Sequence, residues 1–147
     1  MVKLTKKNLS VVFVLISSAI IIIDQLIKFL VVKFNPKLDL GILDIIFIKN
    51  SGAGFGILQG QIYILGTISL IVAVVIIYYY NKIPKEIIPQ VLTALFLGGV
   101  IGNLIDRFFR GYVVDFINFR FWPAFNLSDA CISIATLGLI IYLWKKK

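Results

Sequence analysis

The sequence predicts an all-α membrane protein, with four transmembrane helices and a small extracytoplasmic β-strand segment between the first and second. Three observations carry that expectation. The 147 residues are 60% hydrophobic with a mean hydropathy of +1.00, more apolar surface than a soluble core of this size can hide. Four apolar stretches, near 9–32, 62–80, 87–109 and 127–144, reach the length of about 20 helical residues that a bilayer core requires. Lysines flank these stretches in short runs and do not gather into a patch on a polar surface. The length points to one integral membrane domain over residues 1–147.

The first stretch follows Lys3, Lys6 and Lys7, as a secretory signal would. It is too long for one, contains Asp24 and Lys28, and lacks a small-x-small cleavage site, so it reads as a retained span. Four spans put both termini on one side. Lys82 and Lys85 between the second and third stretches, with Lys145, Lys146 and Lys147 at the end, then mark the cytoplasmic face by the positive-inside rule. The connections 33–61 and 110–126 face outward. Tyr78, Tyr79, Tyr80 and Trp144 suit the inner aromatic belt, Tyr112 and Trp122 the outer one. Within the first outer connection, Leu38–Ile48 is rich in isoleucine, leucine and phenylalanine and reads as one or two short strands. Gly52, Gly54, Gly56 and Gly60 follow and allow tight turns.

The chain has no histidine, which removes Ser-His-Asp and Cys-His schemes and the commonest transition-metal ligand. Cys131, the single cysteine, reads as a small packing residue. The net charge of +8 is explained by topology, and no nucleic-acid partner is expected. Only seven acids are present, and four of them (Asp24, Asp106, Asp115 and Asp129) fall at one level toward the outer face. Ionisable groups at membrane depth are costly and usually functional. Asp24 and Lys28 stand one helical turn apart and can neutralise each other. Asn103, Asp106 and Arg107 share a helical face, with Asp106 and Arg107 read as a buried structural ion pair. Gly98 and Gly102 form a small-xxx-small pair for close helix packing. Asn126-Leu-Ser-Asp129 has the form of a capping box. Asp115 sits in the apolar run Tyr112–Ile117 with no evident cationic partner, so its pKa should be raised, as a general acid requires. Two carboxylates brought together share one proton, and such a pair hydrolyses a peptide with neither metal, cofactor nor covalent intermediate. A small proton-coupled transporter is the main alternative, although coupling acids there lie near the midplane, often within repeated halves.

Five segments together resemble the lipoprotein signal peptidase (signal peptidase II) family. They are Asp24-Gln-Leu-Ile-Lys28, Asn50-Ser-Gly-Ala-Gly-Phe-Gly56, Gly99-Val-Ile-Gly-Asn-Leu-Ile-Asp-Arg107, Gly111-Tyr-Val-Val-Asp-Phe116 and Trp122-Pro-Ala-Phe-Asn-Leu-Ser-Asp129. They run in the family's order over nearly the whole chain. The resemblance implies that Asp115 and Asp129 are the catalytic pair. It implies that Asp24, Asn50, Asn103, Asp106, Arg107 and Asn126 support the site or the substrate, with Lys28 and Gly52 of the same motifs beside them. The implied substrate is a bacterial prolipoprotein whose cysteine carries a diacylglyceryl group, cleaved just before that cysteine. The implied setting is the bacterial cell membrane, with the site toward the outer leaflet and membrane lipid around a single chain. Gly54 and Ser128 depart from the family's usual alanines; the Ser128 hydroxyl is a candidate for tuning Asp129. The apolar segment Leu38–Ile48 is expected to cover the site.

Overall fold

A computed structural model describes residues 5–146; Lys3 and Lys147, used above to orient the chain, lie outside the described residues. Helix α1 (Lys6–Phe34) begins where the Thr5 hydroxyl accepts the Asn8 N–H at 3.2 Å. It ends at Asn35, whose left-handed φ of 42° turns the chain out of the helix. Strands β1 (Lys37–Asp39) and β2 (Leu43–Asn50) then form an antiparallel hairpin. At its turn Gly41 takes a φ of +86° and donates its N–H to Asp39 Oδ1 at 2.8 Å. A 3-10 turn at Gly54–Gly56 leads to α2 (Ile62–Tyr78), then come α3 (Ile87–Phe109), β3 (Val113–Phe119) and α4 (Leu127–Lys145).

Each expected span thus contains a helix, and the apolar Leu38–Ile48 segment supplies a hairpin. Two features differ from expectation. α2 stops at Tyr78, because the chain tightens into a 3-10 turn at Tyr80–Lys82 ahead of Pro84, which cannot continue a helix. α1, α3 and α4 are long and apolar enough to cross a membrane, whereas α2 is apolar but has 17 residues. The β structure is also not confined to the first connection. β3 pairs antiparallel with β2, giving a three-stranded sheet in the order β1-β2-β3. Val113 to Phe116 are all buried, so both faces of that strand are covered and it lacks the period-two pattern of a half-exposed strand.

α3 is the central helix and packs against α1, α2 and α4. Half of its apolar stretch is buried, against 17% in α1 and α4, so the outer helices present most of their surface outward. Small residues allow the approach. A Cβ on Gly98 would come within 2.9 Å of Ile20 on α1, and one on Gly102 would overlap the Ser128 hydroxyl of α4. The outward residues are apolar: Val14, Ile22, Ile64, Ile71, Ile134 and Leu137 are each about half exposed or more. A belt of that kind is stable in lipid and not in water, so this is a multi-pass membrane protein. At the end opposite the acids, the Tyr80 hydroxyl lies 2.9 Å from Ser10 Oγ and 3.0 Å from Gln90 Oε1, tying the α2–α3 turn to both long helices.

Candidate active site

The four acids converge in two groups of different chemistry. In the first, Asp24 and Lys28 lie one turn apart on α1, with Nζ 2.8 Å from Asp24 Oδ2. The same ammonium is 2.9 Å from Asp106 Oδ2 on α3, and all three side chains are 0% exposed. Arg110, one turn beyond Asp106, pairs with its other oxygen. The Ser128 N–H donates to Asp24 Oδ1 and the Val114 N–H to Asp106 Oδ2, each at 3.0 Å, while Gln25 Nε2 donates to Asp106 Oδ1 at 3.1 Å. Two carboxylates and two cations balance. The Asp106–Arg107 pair expected from the sequence does not form. Neighbouring residues on a helix point about 100° apart, so Arg110 meets Asp106 while Arg107 Nη1 reaches Ser69 Oγ on α2 at 3.2 Å.

The second group is Asp115 and Asp129. Gly111, at φ +73°, turns the chain out of α3 into β3, where Asp115 pairs across from Ile48 of β2. Beyond β3 the chain doubles back, and the Ile117 and Phe125 backbones exchange N–H···O bonds of 2.9 and 3.0 Å. That return delivers Asn126 beside Asp115 as the N-cap of α4. The expected capping box is present: the Asp129 N–H donates to Asn126 Oδ1 at 2.9 Å, and the Asn126 N–H to Asp129 Oδ2 at 3.3 Å. The Asn126 amide then donates to Asp115 Oδ1 at 2.7 Å. Asn50, at the end of β2, donates to Asp115 Oδ2 at 2.8 Å. Its own oxygen accepts the Gly52 N–H at 2.9 Å, in a turn where a Cβ on Gly52 would meet the Ile57 carbonyl at 3.0 Å. Asn103 donates to Asp129 Oδ1 at 2.7 Å. Among the described residues neither Asp115 nor Asp129 has an ion pair.

Both carboxylates line one cavity of about 620 Å³, walled by Ile48 to Gly52, Arg107, Phe125 and Ile132. Burial above all, and then the Asp129 charge, push the Asp115 carboxyl up to about 6, against the two amide hydrogen bonds and the more distant Lys28. The Ser128 hydroxyl is buried against α3 without a hydrogen bond, so it does not bond Asp129. The hairpin contributes to the cavity only through the end of β2, and Leu38, Leu40 and Ile42 at its tip are exposed. Of the residues singled out in the sequence, Asp115, Asp129, Asn50, Gly52 and Arg107 line the cavity, whereas Asn103, Asn126, Asp24, Lys28 and Asp106 stand behind it. Gln25 and Arg110 are not among the residues that the sequence singles out. The i,i+4 spacing from Asp106 is the available signal for Arg110, and the place of Gln25 inside the Asp24–Lys28 segment is the one for Gln25.

A family model described as Signal peptidase (SPase) II matches residues 16–145. This chain belongs to the signal peptidase II family. Signal peptidase II is an aspartic peptidase, and membership sets aside the transporter alternative. Curated relatives agree. The chain is 38% identical to a lipoprotein signal peptidase of Halothermothrix orenii, over 87% of this chain and 92% of that one. It is 40% identical to one of Bacillus pumilus, over 89% and 91%. A bacterial membrane enzyme solved by the in meso method at 2.3 Å superposes with a TM-score of 0.84 at 30% identity, covering 90% of this chain and 87% of that one.

Proposed function

We propose that this signal peptidase II cleaves diacylglyceryl-modified prolipoproteins just before the lipidated cysteine, with Asp115 and Asp129 as the catalytic pair. The observation that carries the reading is that these two carboxylates, alone among the four converging acids, face a cavity and are held by neutral amides only. A water between them attacks the peptide carbonyl. One carboxylate of the pair takes the water's proton, and the other, protonated, supplies one to the leaving amine. Asp115, which its burial makes proton-retentive, suits the second part. The Arg107 guanidinium on the cavity wall offers positive charge to the carbonyl oxygen as it becomes an oxyanion.

In this reading α2 completes a four-span topology with both termini cytoplasmic and the sheet at the outer surface of the bacterial cell membrane. The lipidated cysteine is held at that boundary by its acyl chains, the level at which the acids collect. The β1–β2 hairpin, with Leu38, Leu40 and Ile42 exposed, meets the lipid there and shields the cavity. In the same reading residues 1–147 act as one domain and as a monomer. The test is a gel-shift assay in detergent with purified diacylglyceryl-prolipoprotein. Wild type should release the signal peptide and Asp115→Asn and Asp129→Asn should not; turnover by either variant refutes the pair. Replacing Leu38, Leu40 and Ile42 together by serine should slow cleavage of a bilayer-embedded substrate with the helices intact, and unchanged turnover removes the shielding role.

A further inference from the structure

The asparagines around the two carboxylates are not free to choose which end faces the acid. Each side-chain oxygen is occupied by a donor that has no acceptor to offer. Asn50 Oδ1 takes the Gly52 N–H at 2.9 Å, and Asn126 Oδ1 takes the Asp129 N–H at 2.9 Å. Both of those locks are local backbone turns. The third is different in kind: Asn103 Oδ1 takes the Lys28 ammonium at 3.0 Å from a separate helix, with the Asn126 amide at 3.2 Å beside it. An ammonium can only donate, so the Asn103 amino group is left to point at Asp129 Oδ1, 2.7 Å away. Lys28 itself is 0% exposed and is fixed by Asp24 and Asp106 at 2.8 and 2.9 Å.

We propose that Lys28, which bonds neither Asp115 nor Asp129, is a positioning residue for cleavage: it locks the Asn103 amide so that it donates to Asp129 and keeps that carboxylate an acceptor facing the cavity. The inference rests on the catalytic pair proposed above. An ion cluster that only held the bundle together would need Lys28 between Asp24 and Asp106 and nothing more. The third bond of the ammonium, to Asn103, extends the cluster to the reacting group. Without Lys28 only the longer Asn126 contact, at 3.2 Å, holds the Asn103 oxygen, and an amide that rotates past it presents that oxygen to Asp129, a repulsive contact that displaces the proton acceptor. The charged groups that act on Asp129 are Lys28 from α1 and Arg107 from α3, with Asp115 beside it from β3; Asp24 and Asp106 stand beyond Lys28, and Lys49 lines the same cavity.

Removing Lys28 alone would leave the buried Asp24 carboxylate without its cation, so the test uses the charge-balanced variant Asp24→Asn/Lys28→Met. It leaves Asp106 paired with Arg110, and the side-chain carbonyl introduced on α1 still accepts the Ser128 N–H. With purified diacylglyceryl-prolipoprotein in detergent, kcat should fall by about 10- to 100-fold with KM within about twofold. In an Asn103→Ala background the same pair of changes should cost less than about twofold more, because the effect passes through Asn103. Unchanged kcat in the folded variant overturns the inference, and so does a loss that multiplies fully with that of Asn103→Ala. Should the variant not fold, Asn103→Asp keeps the size and the Lys28 contact while removing the amide donor, and more than half of wild-type kcat in it overturns the inference equally. Asp115→Asn and Asp129→Asn run alongside: activity in either removes the catalytic pair itself, whereas their inactivity with a multiplicative cycle removes only the role of Lys28.

Discussion

Two pairs of aspartates occupy the same end of the bundle, and they are handled in opposite ways. Asp24 and Asp106 are matched by Lys28 and Arg110, and every oxygen has an ionic or hydrogen-bond partner. Asp115 and Asp129 receive only amide and backbone donors. Burial does not separate Asp115 from the first pair, since Asp24 and Asp106 are 0% and Asp115 1% exposed, and Asp129 is half-buried. The identity of the partner does. A cation fixes a carboxylate in one charge state, whereas a neutral amide holds it in place and leaves its proton negotiable. The difference separates an acid that builds the fold from one that can take part in a reaction.

The comparison can be broken at several points. Asp115→Asn or Asp129→Asn should lower kcat by about 10³-fold or more in the cleavage assay while thermal unfolding in detergent shows an intact fold. Asp106→Ala should behave in the reverse sense. It leaves Lys28 and Arg110 short of a partner and should cost about 3–5 kcal/mol, read as a lowered Tm or failure to accumulate. If both kinds of substitution lowered Tm equally, the two pairs would not differ in role.

The next effect is pH-dependent. Asp115 holds its proton up to about 6 in the folded protein, above its ordinary 3.8. The native state thus binds that proton more tightly than the unfolded chain, and the stability it lends is present below about pH 4 and lost as pH rises through about 6. Wild type should lose stability relative to Asp115→Asn over that window, by on the order of 3 kcal/mol, seen as a Tm difference that opens with pH and then levels. kcat/KM, which reports the free enzyme, should fall along the same limb. A Tm difference that stays flat from about pH 4 to about pH 8 would place Asp115 with the compensated acids.

The smallest effects lie where α3 and α4 touch. Gly102→Ala should cost about 1–3 kcal/mol, because its Cβ would overlap the Ser128 hydroxyl and approach Asp24 Oδ2 to 2.8 Å. Ser128→Ala should restore part of that Tm loss. By itself it should raise stability by about 1 kcal/mol, since it removes a buried hydroxyl without a partner. No recovery in the double variant would mean that the crowding is against Asp24 alone.

Much of this arrangement is legible in the sequence for a physical reason: in lipid, apolar length nearly fixes helix position, and the few acids stand out against it. Asn126 with Asp129 is readable as a cap because capping depends on spacing alone. Asp24 with Lys28 is readable for the same cause. Contacts between elements are less accessible. Nothing in the spacing shows that Lys28 reaches across to Asn103, or that Gln25 bridges Arg110 and Asp106. β3 is hidden as a strand because its continuous burial erases the alternation that would reveal it. Asp106 takes a different partner from the expected one because adjacency in sequence is not adjacency in space, and one helical turn is the relevant step.

The short second helix has a mechanical consequence for its surroundings. Its 17 residues rise about 26 Å, less than the ~30 Å of a typical hydrocarbon core, while the 29 residues of α1 rise about 44 Å. No flat slab of one thickness matches both. In the proposed topology the bilayer must pinch toward α2 or the bundle must lean, and either response draws the water boundary inward beside that helix. Lipid-chain length thereby becomes a variable of this enzyme, set by one missing turn of helix.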